Sequence, residues 1–117
     1  MVEMKSPETL IEQFCTAADQ QAEATESGDY KRGNKAYQHI VEALKELEAH
    51  QATQLLRPLL QSSSVGVRVW TAGYLLSHNE PEAATTLEEI AEQKGIQALN
   101  AQMTLRQWRA GTLQPLF

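Results

Sequence analysis

Apolar residues recur at the spacing of an α-helix along almost the whole chain. The pattern is clearest from about Tyr30 to Glu48, where a helix collects most of the large apolar side chains on one side. The residues on that side are Tyr30, Gly33 or Asn34, Tyr37, Ile40, Val41, Leu44 and Leu47. This spacing predicts an all-α fold whose helices pack through such faces.

Short polar segments divide the chain into about six helices. Ser6 and Pro7 are typical of a helix start, with a serine cap and proline at the first helical position. Gly28 and Asp29 end the first helix and cap the second, which is the one from Tyr30 to Glu48. The third and fourth predicted helices are about Gln51 to Gln61 and Val65 to Leu76. The fifth carries Ala83, Ala84, Leu87, Ile90 and Ala91 and ends at Gly95. The sixth is about Gln97 to Ala110 and stops at Gly111.

Two of these segments are ambiguous. Pro58 lies inside the third helix and has no backbone donor, so that helix is kinked there or begins close before it. Val65, Val67 and Val69 alternate as in a strand, but the apolar continuation from Trp70 to Leu76 removes the alternation. We therefore predict a helix here, buried on most sides.

The length of 117 residues fits one domain. We expect a single helical domain over residues 1–117, with tails at 1–5 and 112–117. The apolar end of the second tail, Leu116-Phe117, is expected to dock on the rest of the domain. Loops of about two to five residues force neighbouring helices to run antiparallel, which predicts three hairpins.

The last four helices also show a weak repeat. Ala52-Thr53-Gln54-Leu55 returns as Ala84-Thr85-Thr86-Leu87. A repeated unit of two helices is typical of an α-solenoid, and a plain helical bundle is the alternative.

The segment from Leu55 to Ala72 is similar to a HEAT repeat: an apolar helix and a short polar loop precede Val67-Arg68, and small residues follow. More specifically, the order of elements resembles a bacterial family of small HEAT-like domains of unknown function. The similar segments, spanning roughly residues 5 to 113, are Gly28-Asp29-Tyr30-Lys31-Arg32-Gly33-Asn34-Lys35, Val67-Arg68, Pro81-Glu82-Ala83-Ala84, Leu87-Glu88-Glu89-Ile90-Ala91 and Leu105-Arg106-Gln107-Trp108-Arg109-Ala110-Gly111-Thr112-Leu113. The resemblance implies a HEAT-like α-α superhelix and, by analogy with small bacterial proteins of this kind, a toxin-immunity role.

Charge and composition argue against several classes of function. A net charge of −5 and a pI near 5.1 disfavour a nucleic-acid-binding protein. No apolar run approaches the roughly 20 residues that span a bilayer, and the polar N-terminus predicts no signal peptide. We therefore expect a cytoplasmic protein without membrane contact. The lone Cys15 cannot form an internal disulfide, which fits a reducing compartment.

The sequence nominates no catalytic, cofactor-binding or metal-binding residues. His39, His50 and His78 are far apart and are interpreted as surface or capping histidines. Cys15 lies beside the apolar stripe of the first helix with no base to activate it, and is interpreted as a buried structural thiol. We expect no enzyme and no cofactor, and a scattered carboxylate site is the least favoured alternative.

Two groups of residues are candidates for partner binding. Glutamates cluster on the fifth helix. They form either a solvated face, in which acids near the N-terminal end stabilise the helix, or a docking patch for a basic partner. Trp70 and Tyr74 are predicted to lie toward a groove edge as interface anchors, whereas Tyr37 and Trp108 are interpreted as core. The predicted partner-binding residues are Trp70, Tyr74, Glu82, Glu88, Glu89 and Glu92.

These features favour a protein-binding module. The first hypothesis is an immunity protein that blocks the active surface of a cognate toxin, with the glutamates attracting a basic toxin domain. The alternative is a scaffold or regulatory subunit, in a larger complex or as a homodimer that buries Trp70 and the Leu116-Phe117 tail.

Overall fold

The computed structural model describes residues 5–117. Within them the chain forms six helices and no β-strand, so the predicted all-α fold is confirmed. Five are α-helices, numbered α1 to α5, and one is a 3-10 helix, η1. Their bounds are α1 Pro7–Ser27, α2 Tyr30–Ala49, η1 Thr53–Gln61, α3 Val65–Ser77, α4 Ala83–Ala91 and α5 Ile96–Arg109.

The helices belong to two compact units, the first ending at Arg57 and the second beginning at Pro58. In the first unit α1 packs against α2. In the second unit α3 packs against both α4 and α5, which also pack against each other. A single HEAT-like superhelical domain over residues 1–117 stays a prediction, and residues 1–4 of its N-terminal tail lie outside the described residues.

Local capping signals place the ends of α1 and the start of α2. The Ser6 hydroxyl accepts a hydrogen bond from the Thr9 N–H at 3.2 Å, and Pro7 occupies the first turn. At the other end Gly28 adopts φ +76°, and the Asp29 carboxylate then accepts from the Arg32 N–H at 3.1 Å. The chain therefore reverses direction where the sequence predicts.

Most of the predicted inward residues of α2 are buried, namely Gly33, Ile40, Leu44 and Leu47. Tyr37 is 36% exposed, so the prediction that it lies in the core is wrong, and Tyr30, on the same predicted apolar side, is 83% exposed. The helices approach closely at Gly33, where an added Cβ would lie 3.6 Å from the Cβ of Ala24. The small residues Gly33 and Ala36 therefore take inward positions in the first half of α2, and Tyr30 lies one turn before Gly33. The buried residues of α2 are Gly33, Ala36, Ile40, Ala43, Leu44 and Leu47.

Replacing Gly28 with alanine is expected to lower the free energy of unfolding by about 1 kcal/mol, because a side chain disfavours the left-handed backbone region. An added Cβ meets no atom within 4 Å, so the cost is backbone strain without a clash. Gly73 within α3 has the same free space and no positive φ. Gly73→Ala should therefore raise the free energy of unfolding by up to about 1 kcal/mol. Urea unfolding followed by circular dichroism checks both values, and a loss for both variants would contradict this account.

Residues 53–61 form a 3-10 helix in place of the expected α-helix. Pro58 lacks an N–H group, and in an α-helix its ring clashes with the carbonyl four residues earlier. Of the residues in η1 only Leu56 is buried, and Leu55 is 39% exposed.

The segment that begins at Val65, whose alternating valines were also compatible with a strand, forms helix α3, as predicted. Ser64 caps it by accepting a hydrogen bond from the Val67 N–H at 3.2 Å. Because α3 packs against two other helices, it is buried on most sides. Its buried residues are Gly66, Val67, Thr71, Ala72, Tyr74, Leu75 and Leu76.

The C-terminal tail follows Arg109 without regular structure. Leu113 and Leu116 are half-buried there, whereas Phe117 is 44% exposed. Across residues 5–117, no helix has the combination of length and apolar character that a bilayer span requires.

Candidate functional site

The four predicted glutamates lie together on the outward side of α4. Glu82 is its N-cap residue, Glu88 and Glu89 lie in its last turn, and Glu92 is its C-cap residue. All four side chains are exposed. The opposite side of the helix is buried and consists of Ala83, Ala84, Thr86, Leu87 and Ile90. We call Glu82, Glu88, Glu89 and Glu92 the acidic face.

The position of these acids along α4 is unfavourable for helix stability. The C-terminal end of a helix carries partial negative charge, so acids there are repelled by about 0.3–1 kcal/mol each at low salt. Glu88, Glu89 and Glu92 all lie at that end, and no basic residue occupies the last turn of α4. Glu82 lies at the positive N-terminal end of α4, although its side chain makes no capping hydrogen bond. The favourable charge effect predicted for N-terminal acids therefore applies to Glu82 and not to the other three glutamates of this face.

One cation from another helix approaches the acidic face. Arg109 at the end of α5 places Nη2 3.8 Å from Oε2 of Glu88, and both side chains are more than half exposed. Ion pairs of this kind contribute at most about 1 kcal/mol. Within residues 5–117, Glu82, Glu89 and Glu92 make no ion pair. The acidic face thus keeps most of its charge available to another molecule.

The two predicted aromatic anchors differ in exposure. Tyr74 is 2% exposed, and its ring stacks on that of His78 with centroids 4.2 Å apart. The prediction that Tyr74 reaches a groove edge is wrong, because α3 is enclosed by two helices at that position. Trp70 is half-buried, as is Trp108, which was predicted as core.

The histidines and the cysteine lie in different surroundings. His78 caps α3, with Nδ1 3.0 Å from the Tyr74 carbonyl oxygen, and the Ser77 hydroxyl donates to the same carbonyl at 2.7 Å. Burial, and to a lesser degree the Asp19 carboxylate, raise the pKa of the half-buried Cys15 thiol, which lowers its reactive thiolate fraction. Within residues 5–117 no cluster of His, Cys, Asp and Glu is arranged to hold a metal ion.

Two further surfaces were not found from the sequence. A shallow groove of about 410 Å³ follows α1 and reaches His39 on α2. On α5 the large apolar side chains of Ile96, Leu99 and Met103 are exposed. Their spacing of three and four residues is present in the sequence. Ala98, Ala101 and Leu105 have a similar spacing, and the sequence interpretation assigned them as the apolar face of this helix.

These observations define a small all-α protein with charged and apolar surfaces. The chain belongs to the family described as "Domain of unknown function (DUF2019)", whose sequence model matches residues 8–108. Comparisons with curated proteins and with solved structures give no match. Membership in a family of unknown function agrees with the resemblance seen in the sequence, and the bacterial, HEAT-like and immunity parts of that resemblance stay predictions.

Proposed function

We propose that this chain is a protein-binding module that uses the acidic face to bind a basic protein. In its most specific form, it is an immunity protein of the bacterial cytoplasm that neutralises a toxin by covering its active surface. The observation that carries the proposal is the placement of three exposed glutamates at the C-terminal end of α4.

The position of these glutamates supports a binding role because it destabilises helix α4 in the free chain. Glu88 and Glu92 are one turn apart, and like charges at this spacing repel by about 0.2–0.5 kcal/mol in isolated helices. The negative end of the helix adds to this repulsion. A partner that brings lysine or arginine side chains to the face relieves both effects. The acids therefore contribute more to a complex than to the free chain.

The rigidity of α4 supports the same proposal. Its inward side is closed by buried residues such as Leu87 and Ile90, each 0% exposed. The helix also packs against α3 and α5, so its outward side chains project from a fixed backbone. A preorganised charged surface accelerates association with an oppositely charged partner and loses little entropy on binding. A bulky domain held there would block access to a toxin's active surface.

A homodimer or larger scaffold is the second candidate function. The 44% exposure of Phe117, next to the half-buried Leu116, favours it because an exposed aromatic residue beside an apolar neighbour is a suitable subunit contact. Sedimentation at several concentrations separates the candidates, since a monomer at every concentration excludes the homodimer.

The proposal is tested by expressing the product of the adjacent gene in a susceptible host together with this chain. We expect the neighbour to arrest growth and the wild-type chain to restore it. Glu89→Lys with Glu92→Lys should abolish the rescue, because the reversed face repels a basic partner. Glu42→Lys with Glu46→Lys makes the same change in net charge on exposed positions of α2 and should still rescue. A harmless neighbour, or full rescue by the α4 variant, would show the proposal to be wrong.

A further inference from the structure

The outward face of α5 carries an apolar stripe. Leu99 is 58% exposed, Met103 is 57% exposed and Ile96 is 39% exposed. Spacings of three and four residues align these side chains along one side of the helix. The opposite side is buried through Ala98, Ala101 and Leu105. We call Ile96, Leu99 and Met103 the α5 stripe.

Positively charged residues precede and follow the stripe along the chain. Lys94 lies two residues before Ile96, and Arg106 lies one turn beyond Met103 on the same side of the helix. Both side chains are exposed. Residues 93–117 contain no aspartate or glutamate, although the whole chain has a net charge of −5. The stripe therefore lies between Lys94 and Arg106 along the chain, with the exposed Glu92 two residues before Lys94.

These charges disfavour a second copy of the chain as the occupant. If two stripes packed antiparallel about a two-fold axis, Lys94 of each copy would lie near Arg106 of the other, and like charges would meet at both ends. The size of the stripe argues in the same direction. Its three residues span only about 10 Å of helix. A surface of this length is too small to provide the roughly 800 Å² per partner that a stable dimer buries.

We propose that the α5 stripe binds an amphipathic helix of a partner protein, with acidic residues at both ends of that helix's apolar face. Docking through side chains at three- and four-residue spacing is an established mode of helix recognition. The apolar contact supplies most of the affinity, and Lys94 and Arg106 fix the position and direction of the incoming helix. This surface consists of α5 residues that the acidic face does not include and selects a partner of opposite charge, so the inference does not rest on the proposed function.

The probe for this proposal is a stapled helical peptide with three leucines spaced three and four residues apart and glutamates at both ends. Titration into the ¹⁵N-labelled full chain should shift amide resonances of α5. Leu99→Gln with Met103→Gln should weaken binding at least about tenfold, because two large apolar contacts are lost. A peptide with lysines in place of the glutamates should bind about fivefold more weakly.

Two controls separate this surface from others. Tyr30→Gln removes an exposed aromatic side chain from the other unit and should leave the affinity unchanged. Glu89→Lys with Glu92→Lys should also leave the stripe's leucine contacts in place and retain the α5 resonance shifts. Circular dichroism verifies that the Leu99→Gln/Met103→Gln chain is folded, as its exposed positions predict. No shift on α5, equal affinity for the lysine peptide, or a dimer that this double variant dissociates would each overturn the proposal.

Discussion

Replacing Phe14 with alanine is expected to lower the free energy of unfolding of the α1–α2 unit by about 3–5 kcal/mol. Phe14 is 0% exposed and is among the largest fully buried side chains of the described chain. Its truncation removes apolar contacts and leaves a cavity that the paired helices close only in part. Since small domains are stable by about 5–15 kcal/mol in total, this variant should be largely unfolded in moderate urea.

The matched control for Phe14→Ala is Tyr30→Ala, which truncates an aromatic side chain that is 83% exposed. Its effect should stay within about 0.5 kcal/mol, because little buried surface is lost. Denaturant unfolding monitored by far-ultraviolet circular dichroism measures both variants. Similar losses at the two positions would mean that the assignment of Phe14 to the core and Tyr30 to the surface is incorrect.

Helix ends were predictable because their signals are local. Ser6, Gly28 and Asp29 each act through atoms within a few residues, and the structure shows the expected cap or turn at each. A cap therefore depends little on what the rest of the chain does. The apolar period likewise identified α2 to within one residue at its C-terminal end.

The inward side of α2 was less predictable because it depends on another helix. Tyr37 and Ala36 are adjacent, and helical spacing alone allows either to face α1. The close approach of Gly33 to Ala24 selects the side with small residues and leaves Tyr37 36% exposed. The size of a side chain therefore predicts which side of α2 faces inward only when the neighbouring helix is known.

Replacing Glu89 and Glu92 with glutamine is expected to stabilise the free chain and weaken its complex. Removing two charges from the negative end of α4 should raise the free energy of unfolding by about 0.5–1 kcal/mol, in part because the helix dipole no longer repels them. The same change should weaken binding of a basic protein at least about tenfold. Thermal unfolding at low salt measures the first effect, and the gain should shrink as salt screens the charges.

The control for this pair is Glu42→Gln with Glu46→Gln, which removes two exposed charges from α2. It changes the net charge equally but leaves the acidic face intact. Any effect shared by both double variants reports net charge, whereas weaker binding confined to the α4 pair reports the acidic face. A loss of stability in the α4 variant would show that its glutamates stabilise the fold after all.

The acidic cluster could be identified from the sequence, but the unfavourable position of its acids at the negative end of α4 could not. The fifth predicted helix was expected to continue to Gly95, which would have left Glu92 inside it. In the structure α4 ends at Ala91, so Glu92 becomes the C-cap residue at the negative helix end. The shorter helix places Glu88 and Glu89, as well as Glu92, at its negative C-terminal end.

The exposure of aromatic and apolar residues depended on packing that the sequence does not specify. Tyr74 was expected at an edge, but α4 and α5 enclose α3 and leave it 2% exposed. Leu99 and Met103 were overlooked because alanines on the other side of α5 make the buried face. Small inward residues allow close helix packing and turn the larger side chains outward.

Calorimetric titration of the adjacent-gene product into this chain, at low and at physiological salt, tests most directly whether the acidic face is a docking surface. We expect binding that weakens as salt rises, an affinity at least about tenfold lower for Glu89→Gln with Glu92→Gln, and an unchanged affinity for Glu42→Gln with Glu46→Gln. Equal affinity for all three chains, or the absence of a complex, would contradict the assignment of the acidic face as a docking surface.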